Sequence, residues 1–483
     1  MTDGTRTRTV VVEARQIAHS TAPRSAVEAA VRAYLAAGRG AAQLAALAAR
    51  AARTSAAEDD AEATLVCGRD VTDAFLVAHT VCLRLALPCS GAPGDLPEDD
   101  YDCDDIGCEG DDREAAEATG TAAAAAAALG DVTVGTVAVY RAVEGDGEED
   151  DWSGESGSES GGGGGGAAFS AWELPAARLD GLWESLHYGG GVKRALLGLG
   201  GAGLALGARG VDRQLVAWNG LVLLHGPPGA GKTSAAQALA HKLAVRLCAA
   251  GVYARAELLV VNSHSLFSRW FSESGRLVAA MFARVREIAD DARTLVVVLV
   301  DEVESLTASR ARAVRAGTEP ADAVRAVNAL LTQLDLLRAR PNVLTVATSN
   351  ITAAVDAAFL DRADLALRIG RPAPRARARI LRSALDELRR VALVAGPWDT
   401  RARTALAAAA RASAGLSGRA LRRLPLLALA HGAALGTDPA APRPLPAFID
   451  TLTGTATTVR QQQRSLQRAV LVGQDEEDED AVL

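Results

Sequence analysis

The middle of the chain alternates short, almost unbroken apolar runs with longer segments of helix-forming composition. Four apolar runs are candidate strands: Leu221–Leu224, Leu258–Val261, Leu295–Val300 and Val343–Thr348. Strands of this kind are buried on both faces, and intervening helices are typical of parallel sheets. The pattern predicts an α/β domain over residues 168–370, built from a parallel sheet with helices on both faces.

A smaller unit is predicted on each side of this domain. Candidate strands Val10–Val12 and Val132–Tyr140, with a candidate helix Ala26–Ala52, indicate an α+β N-terminal domain over residues 1–145. Residues 371–470 are predicted to form a helical domain with helices Ala376–Val391, Thr400–Ala412 and Ser417–His431. This division agrees with the two or three domains expected of 483 residues.

Acidic residues are concentrated in three segments, Glu98–Glu117, Glu144–Glu159 and Asp475–Asp480. We expect such blocks of like charge to be solvated and disordered, and an acidic docking arm is the alternative. Pro93–Ala128 joins acidic residues to polyalanine, which predicts an insertion in a surface loop. Residues 146–167 have the composition of a flexible linker, and residues 471–483 form an acidic tail.

Charge and cysteine pattern exclude several kinds of site. The 51 basic and 59 acidic residues give a net charge of −8, which argues against a general nucleic-acid-binding protein. The six cysteines have no zinc-ligand spacing and fit a reduced intracellular compartment. The N-terminus has no apolar signal core, and the apolar Ala195–Ala208 is too short to span a bilayer. We therefore expect the cytosol or nucleus, with no direct nucleic-acid or membrane partner.

The most specific chemical signal is Gly-Pro-Pro-Gly-Ala-Gly-Lys-Thr at Gly226–Thr233, between a predicted strand and a predicted helix. This spacing is typical of a phosphate-binding loop, in which glycines let backbone N–H groups surround phosphate oxygens. Lys232 would bind the β/γ-phosphates of ATP, and the Thr233 hydroxyl would hold Mg²⁺. A Gly-rich turn without a ligand is the alternative. The predicted nucleotide-binding residues are Gly226, Pro227, Pro228, Gly229, Ala230, Gly231, Lys232, Thr233 and Ser234.

Asp301 and Glu302 directly follow the apolar run Leu295–Val300, 69 residues after Lys232 (301 − 232). An apolar strand that ends in Asp-Glu is typical of the second nucleotide motif of phosphate-loop ATPases. We predict that Asp301 supports Mg²⁺ together with Thr233, and that Glu302 is the general base for the attacking water. An ordinary strand exit with two acidic residues is the alternative.

Two further polar residues are candidates for the same site. Asn350 follows the last predicted strand of the sheet and would contact the γ-phosphate or the lytic water, unless it is a turn or cap residue. Arg419 lies just after Ser417, a candidate helix N-cap. This arginine either reaches the γ-phosphate and couples the helical domain to it, or is one more exposed arginine of the helix.

Arg362 lies in the sequence Asp-Arg-Ala-Asp. In a ring-forming ATPase an arginine at this position can enter the neighbouring subunit's site and neutralise transition-state charge. The alternative is a surface ion pair with Asp361 or Asp364, and the residues alone do not decide between the two.

Longer segments resemble one family of AAA+ ATPases, the pachytene checkpoint protein family, also called thyroid-receptor-interacting AAA+ ATPases. The resemblance covers residues 168–435 and is far more specific than a phosphate loop alone. The segments that carry it are Trp172–Ala177, Gly181–Leu186, Asn262–Gly275, Asp301–Ala308, Arg315–Pro320 and Gly415–Arg419.

The resemblance implies an AAA+ core with a helical lid. It also implies one role for each of the three residues whose alternatives are given above. Asn350 looks like the first sensor, Arg419 like the second sensor and Arg362 like the trans-acting arginine finger. Trp270 and Phe271 lie where the family has its first pore loop, whose aromatic side chain grips a threaded polypeptide. A buried core aromatic is the alternative for this pair.

For function, the resemblance implies a homo-hexamer that uses ATP and Mg²⁺ to unfold HORMA-domain proteins partially, in meiotic or spindle-checkpoint control. The N-terminal domain would recruit the substrate together with a HORMA-type adaptor, in the nucleus at chromosomes and also in the cytosol. Two alternatives remain: an AAA+ unfoldase for another protein client, and a nucleotide-gated scaffold with little turnover. The presence of Glu302 favours hydrolysis over a scaffold.

Overall fold

The computed structural model divides into an N-terminal unit, a central domain with a large sheet, and a C-terminal helical lid. The described residues are 8–18, 20–36, 40–44, 61–66, 71, 73–87, 132–144, 169–189, 191–262, 274–304, 321–350, 357–434 and 441–480. The predicted insertion Pro93–Ala128 and the linker 146–167 lie outside them, as does the part of the predicted helix Ala26–Ala52 beyond residue 44.

The N-terminal unit is a four-stranded mixed sheet with a helical layer. Its elements are β1 (Arg8–Gln16), α1 (Arg24–Ala36), β2 (Ala61–Val66), α2 (Ala74–His79), β3 (Thr80–Leu87) and β4 (Val132–Tyr140). The strand order is β2-β3-β1-β4, with β1 parallel to β4 and antiparallel to β3. Its core includes Val10, Val12, Ala14, Val27, Val31 and Leu35. The predicted α+β domain is confirmed, whereas β2, β3 and α2 were not predicted.

The central domain contains a six-stranded sheet in the order β10-β6-β9-β8-β7-β5. Its elements are β5 (Phe169–Leu174), α3 (Leu182–Ser185), α4 (Val192–Ala208), β6 (Leu221–His225), α5 (Lys232–Ala249), β7 (Arg255–Asn262), α6 (Ser274–Ala289), β8 (Thr294–Asp301), α7 (Ala321–Leu337), β9 (Val343–Ser349), α8 (Ala357–Arg362) and β10 (Leu365–Arg368). The strands β6 to β10 are parallel; β6 to β9 were predicted as parallel strands, and β10 was not predicted. The edge strand β5 runs antiparallel to β7, which the sequence pattern had not indicated.

Strand β8 shows why the apolar runs predicted this sheet correctly. Its residues Leu295, Val297 and Leu299 face the core that contains α4 and α5. The alternate residues Val296, Val298 and Val300 face the core that contains α6 and α7. Because successive side chains of a strand point to opposite faces, a strand covered on both faces must be apolar throughout.

The lid is a bundle of four helices closed by a short parallel strand pair. Its elements are α9 (Pro374–Arg390), β11 (Val394–Ala395), α10 (Thr400–Ala412), α11 (Gly418–Ala434), β12 (Arg443–Pro444) and α12 (Leu445–Asp480). Three of these helices match the predicted ones, and α12 was not predicted. The acidic Asp475–Asp480, which we expected to be disordered, forms the end of α12, so that expectation was wrong.

Helix α4 contains the apolar stretch Ala195–Ala208. It packs against α5 and β9, with Leu196 and Leu204 fully buried in the central core. Within the part of the chain that the structure describes, no helix is long and apolar enough to cross a membrane.

Candidate nucleotide-binding and hydrolysis site

The phosphate loop connects the end of β6 to the start of α5, as predicted. Gly226, Gly229 and Gly231 have φ values of 142°, 75° and 97°, a region that favours glycine. A Cβ on Gly226 would lie 2.2 Å from the carbonyl oxygen of Ile369, so no side chain fits there. Lys232, Thr233 and Ser234 form the first turn of α5. The backbone N–H groups of this turn are therefore available to an anion.

Lys232 folds back over the loop that precedes it. Its Nζ donates hydrogen bonds to the carbonyl oxygens of Gly226 (2.8 Å) and Pro227 (3.1 Å), and to Oδ1 of Asn350 (2.7 Å). Burial lowers the pKa of this ammonium, an effect opposed by the nearby carboxylate of Glu304. Lys232 thus carries a buried positive charge held mainly by neutral oxygens, a setting in which phosphate oxygens would be favourable partners.

The two residues predicted to hold Mg²⁺ are in direct contact. The Thr233 hydroxyl donates to the Asp301 carboxylate, with distances of 2.8 Å to Oδ1 and 3.1 Å to Oδ2. A hydroxyl and a carboxylate are the hard oxygen ligands that Mg²⁺ takes beside phosphates and water. The donor set at the C-terminal end of β8 therefore fits this ion.

Thr348, at the end of β9, was not singled out from the sequence, yet it holds both predicted acidic residues. Its hydroxyl donates to Asp301 Oδ1 and accepts the backbone N–H of Glu302 at 3.1 Å. Its carbonyl oxygen accepts the N–H of Val303 at 2.9 Å. The signal in the sequence was a polar threonine at the end of the apolar run Val343–Thr348, and in the structure this residue is only 1% exposed.

Glu302 has φ = 58°, which is uncommon for a residue other than glycine. Such backbone persists where surrounding contacts fix it, and here the contacts to Thr348 on either side of the residue do so. The Glu302 side chain is exposed at the mouth of the site. This position suits a group that must accept a proton from water.

Asn350 connects the lysine to the acidic residues. While its Oδ1 accepts from Lys232, its Nδ2 donates to Glu304 Oε1 at 2.7 Å and lies 3.5 Å from Glu302 Oε1. The structure therefore brings Asn350 together with Lys232 and Glu302, as a sensor residue requires. Glu304 is buried and was not predicted, although it follows Glu302 by two residues.

The lid contacts the phosphate loop through the start of α11. The backbone N–H of Arg419 donates to the Gly229 carbonyl at 3.2 Å, and the Ser417 hydroxyl accepts the N–H of Ala420 at 3.2 Å. Ser417 is thus the N-cap that we predicted. Arg419 lies near enough to Lys232 to lower the pKa of that lysine. The structure places Arg419 at the site, and its sensor role stays a prediction.

Tyr188 and Arg422 join the site to its surroundings, and neither was predicted. The Tyr188 hydroxyl donates to the Gly231 carbonyl at 2.8 Å. Arg422 of α11 donates to the Ser185 carbonyl at 2.7 Å. The segment between α3 and α4 therefore supports the phosphate loop and also contacts the lid.

Arg362 lies at the end of α8 and is paired with Asp335 of α7. Its Nε and Nη2 donate to the two carboxylate oxygens at 2.9 and 3.0 Å. The sequence had suggested Asp361 or Asp364 as the ion-pair partner; the structure shows a pair with Asp335, while the Asp364 carboxylate accepts the backbone N–H groups of Asn219 and Leu221. A role of Arg362 in a neighbouring subunit stays a prediction.

Trp270 and Phe271 lie outside the described residues. The segment that contains them connects β7, which ends at Asn262, to α6, which begins at Ser274. Asn262 is the register partner of Asp301, so this segment leaves the sheet at the same edge as Asp301 and Glu302. The pore-loop assignment stays a prediction.

Two family profiles match the chain. The profile described as ATPase family associated with various cellular activities (AAA) matches residues 222–371. The profile described as TRIP13-like, AAA+ ATPase lid C-terminal domain matches residues 398–460. The two matches contain the phosphate loop, the predicted acidic residues and the start of α11.

Curated relatives named "Pachytene checkpoint protein 2 homolog" are similar to the chain. The Danio rerio protein is 43% identical over 321 residues, which cover 63% of this chain and 74% of that protein. The Oryza sativa subsp. indica protein is 46% identical over 299 residues, which cover 56% of this chain and 63% of that protein. The chain thus spans less than two thirds of the rice relative.

A solved structure described as "Structure of C. elegans PCH-2" is similar over almost the whole chain. It is 26% identical, with a TM-score of 0.64, and the alignment covers 94% of this chain and 100% of that one. The structural similarity therefore extends beyond the residues aligned with the curated relatives, into the part of the chain that precedes the central domain.

Proposed function

Because this chain belongs to the pachytene checkpoint protein 2 family of AAA ATPases, we propose that it is a ring-forming ATPase that couples ATP hydrolysis to partial unfolding of HORMA-domain proteins. The observation that carries the hydrolysis part is the Asp301-Glu302 turn, in which both acidic residues are held by Thr348 beside Asn350 and Lys232. The homo-hexameric ring, the HORMA client and a HORMA-type adaptor are proposed from family likeness. On the same ground we propose nuclear and cytosolic locations, with meiotic or spindle-checkpoint roles.

Phosphate binding would begin with an exchange of partners at Lys232. Its ammonium leaves the Gly226 and Pro227 carbonyls and binds β/γ-phosphate oxygens, while the first turn of α5 donates N–H groups to the same phosphates. Thr233 and Asp301 would hold Mg²⁺, which supplies positive charge to the phosphate oxygens when bound. ATP binding thereby replaces carbonyl partners of a buried ammonium by anionic ones.

Hydrolysis would use Glu302 and Asn350, which would face the attacking water at the γ-phosphate. Glu302 accepts the proton of the attacking water, and Asn350, already bonded to Lys232 and Glu304, orients that water or the γ-phosphate. Arg362 of an adjacent subunit would neutralise charge that develops on the transferred phosphoryl group. In the isolated chain, this arginine must leave Asp335 before it can act.

Mechanical work would follow from the contact between the lid and the phosphate loop. Arg419 contacts Gly229 through its backbone, so a change in the loop on ATP binding or release reaches α11 directly. The Trp270-Phe271 loop would grip the client polypeptide in the ring pore. Opening part of a folded domain requires several kcal/mol, because whole domains are stable by only about 5–15 kcal/mol.

Steady-state ATP hydrolysis by the purified chain, with and without a HORMA-domain protein and its adaptor, tests this proposal. We expect a basal rate that depends on Mg²⁺ and rises when both proteins are added. If no HORMA-domain protein changes the basal rate, the ATPase acts on another protein client. Tight ATP binding without hydrolysis would instead favour the nucleotide-gated scaffold.

A further inference from the structure

The N-terminal domain meets the phosphate-loop helix α5 through a buried group of charged side chains, and we propose that this group transmits structural change between that domain and the nucleotide site. We call it the junction cluster, and it consists of Glu13, Arg15, Arg84, Tyr140, Asp180, Glu184, His241, Lys242 and Arg246. The mechanical link rests on the structure alone. Its use in client-stimulated hydrolysis rests on the proposed function.

The alternation of the N-terminal strands explains how charged residues reach this interface. In β1, Val12 and Ala14 face the domain's own core, so Glu13 between them points to the opposite face. In β3, Arg84 lies in the same way between the core residues Leu83 and Leu85. The sheet therefore presents its apolar face to α1 and a charged face to α5.

Lys242 is the centre of one half of the cluster. It is 4% exposed and donates to Glu13 of β1 and, at 2.5 Å, to Oε1 of Glu184 in α3. Arg246, one helical turn later, donates to the other oxygen of Glu13 at 3.0 Å. Burial opposes the charge on Lys242, but the two carboxylates overcome this effect and raise its pKa. Three separate segments of the chain are thus held by one ammonium group.

Asp180 is the centre of the other half. It accepts from Arg15 of β1 (2.5 Å), Arg84 of β3 (2.6 Å) and the Tyr140 hydroxyl of β4 (2.8 Å). Burial opposes ionisation of Asp180, but the hydrogen bond from Arg84 prevails, and the pKa falls to about 2. Asp180 is therefore an anion bound by three strands of the N-terminal sheet.

Two routes join this cluster to the phosphate loop. Lys242 lies ten residues after Lys232 on the same helix, a distance of about 15 Å along a rigid rod. The segment that carries Asp180 and Glu184 continues to Tyr188, which donates to Gly231 in the phosphate loop. A shift of either the loop or α5 must therefore displace groups that hold the N-terminal sheet.

Buried ion pairs transmit such a shift better than an apolar interface would. A buried ion pair is strongly destabilised when its two groups move apart, because each is then an unpaired charge without water around it. Among the residues that the structure describes, the apolar part of the junction is small: Ala138, Tyr140, Val245 and Ala249. Because this patch alone offers little resistance to sliding, the ion pairs fix the docking orientation.

Hydrogen exchange of the full chain with and without ATPγS tests the mechanical link. We expect ATPγS to slow exchange in the phosphate loop and also to change exchange in β1 and β4 of the wild-type chain. Glu13→Gln, which keeps side-chain size but removes the charge, should lose the change in β1 and β4 and keep that in the loop. Glu387→Gln, which removes an exposed carboxylate paired with Arg390, is the matched control and should behave as wild type. Unchanged β1 and β4 exchange in the wild-type chain would overturn the proposal.

A second variant and a second readout protect the test against misfolding. Arg15→Gln removes a more peripheral pair, to Asp180, and should weaken the same response if Glu13→Gln is too unstable to study. In ATPase assays, both variants should keep the basal rate within about twofold, because they lie far from the phosphates. Both should lose stimulation by the HORMA protein and adaptor. A wild-type chain that no client stimulates would contradict the proposed function, whereas stimulation that survives in both variants would contradict the coupling.

Discussion

Acid should loosen the contact between the N-terminal domain and the ATPase core at a pH where Asp180 and Glu184 of the junction cluster are still ionised. His241 of α5 is 4% exposed, and neither ring nitrogen has a hydrogen-bond partner among the described residues. Burial lowers its pKa from 6.5 to about 4, with Asp180 and Glu13 opposing the shift and Lys242 and Arg84 adding to it. The Tyr140 ring packs edge-on against the imidazole, with centroids 6.1 Å apart.

The sign follows from comparing the two states. The unfolded chain takes up a proton at His241 near pH 6.5, but the folded chain resists it until about pH 4, so stability is lost as the pH falls through this window. The loss from this residue is about 2 kcal/mol at pH 5 and approaches about 3 kcal/mol below pH 4. Burial opposes the ionisation of Asp180 and Glu184, but their cationic partners lower both pKa values. The stability that these two carboxylates contribute is therefore lost only as the pH falls below their unfolded pKa values of 3.8 and 4.5. Between pH 6.5 and 4.5, stability is therefore lost because the unfolded chain takes up a proton at His241 that the folded chain does not, whereas Asp180 and Glu184 do not yet contribute a loss.

Urea unfolding at pH 7, 6 and 5, followed by tryptophan fluorescence, to which the buried Trp183 and Trp218 contribute, measures this loss. His241→Phe retains a ring beside Tyr140 but cannot take a proton, so it should remove about 2 kcal/mol of the difference between pH 7 and pH 5. His431→Gln, at an exposed position in the lid, is the control and should leave the pH dependence unchanged. If His241→Phe and the wild-type chain lose stability in parallel, the buried histidine does not control the acid response.

Three substitutions test the hydrolysis and pore assignments. Glu302→Gln should lower the ATP hydrolysis rate by about 10²- to 10⁴-fold while nucleotide binding persists, and brisk turnover would remove Glu302 as the base. Thr348→Val should weaken the apparent Mg²⁺ affinity in ATPase assays by about 10- to 100-fold, because Asp301 loses its supporting donor. An unchanged Mg²⁺ titration would contradict this. Trp270→Ala should preserve ATP hydrolysis and abolish client unfolding, and full unfolding activity would return Trp270 to the core.

Sequence patterns correctly predicted the structure of those residues whose role depends on their neighbours in the sequence. The apolar run Leu295–Val300 had to be covered on both faces, and the spacing of Gly226–Thr233 admits few structures besides a phosphate loop. Strand β5 was missed because Phe169–Leu174 mixes polar with apolar residues and pairs only at the sheet edge. Such an edge strand has no signature of its own in the sequence.

The residues that were missed in the site depend on contacts between distant parts of the chain. Thr348 becomes important only because β9 lies beside β8, and Tyr188 only because its segment folds against Gly231. Charged residues such as Glu13 and Lys242 are expected at the surface when each is considered alone, since charge is rarely buried without a partner. They lie 229 positions apart, and nothing local indicates that they meet.

The lid should move more easily than the N-terminal domain, because its side-chain contact with the core at Ser185 is exposed. Arg422 is exposed, and its hydrogen bonds to Ser185 contrast with the buried pairs of Lys242. Exposed charged contacts contribute at most about 1 kcal/mol, whereas breaking a buried pair costs about 3–5 kcal/mol. Arg422→Ala should therefore weaken ATP binding by no more than about fivefold in a fluorescent-nucleotide titration and leave the unfolding midpoint near that of wild type. A loss above about a hundredfold would show that the lid contact is as tightly coupled as the junction, and nucleotide-driven motion could not then be assigned to the lid alone.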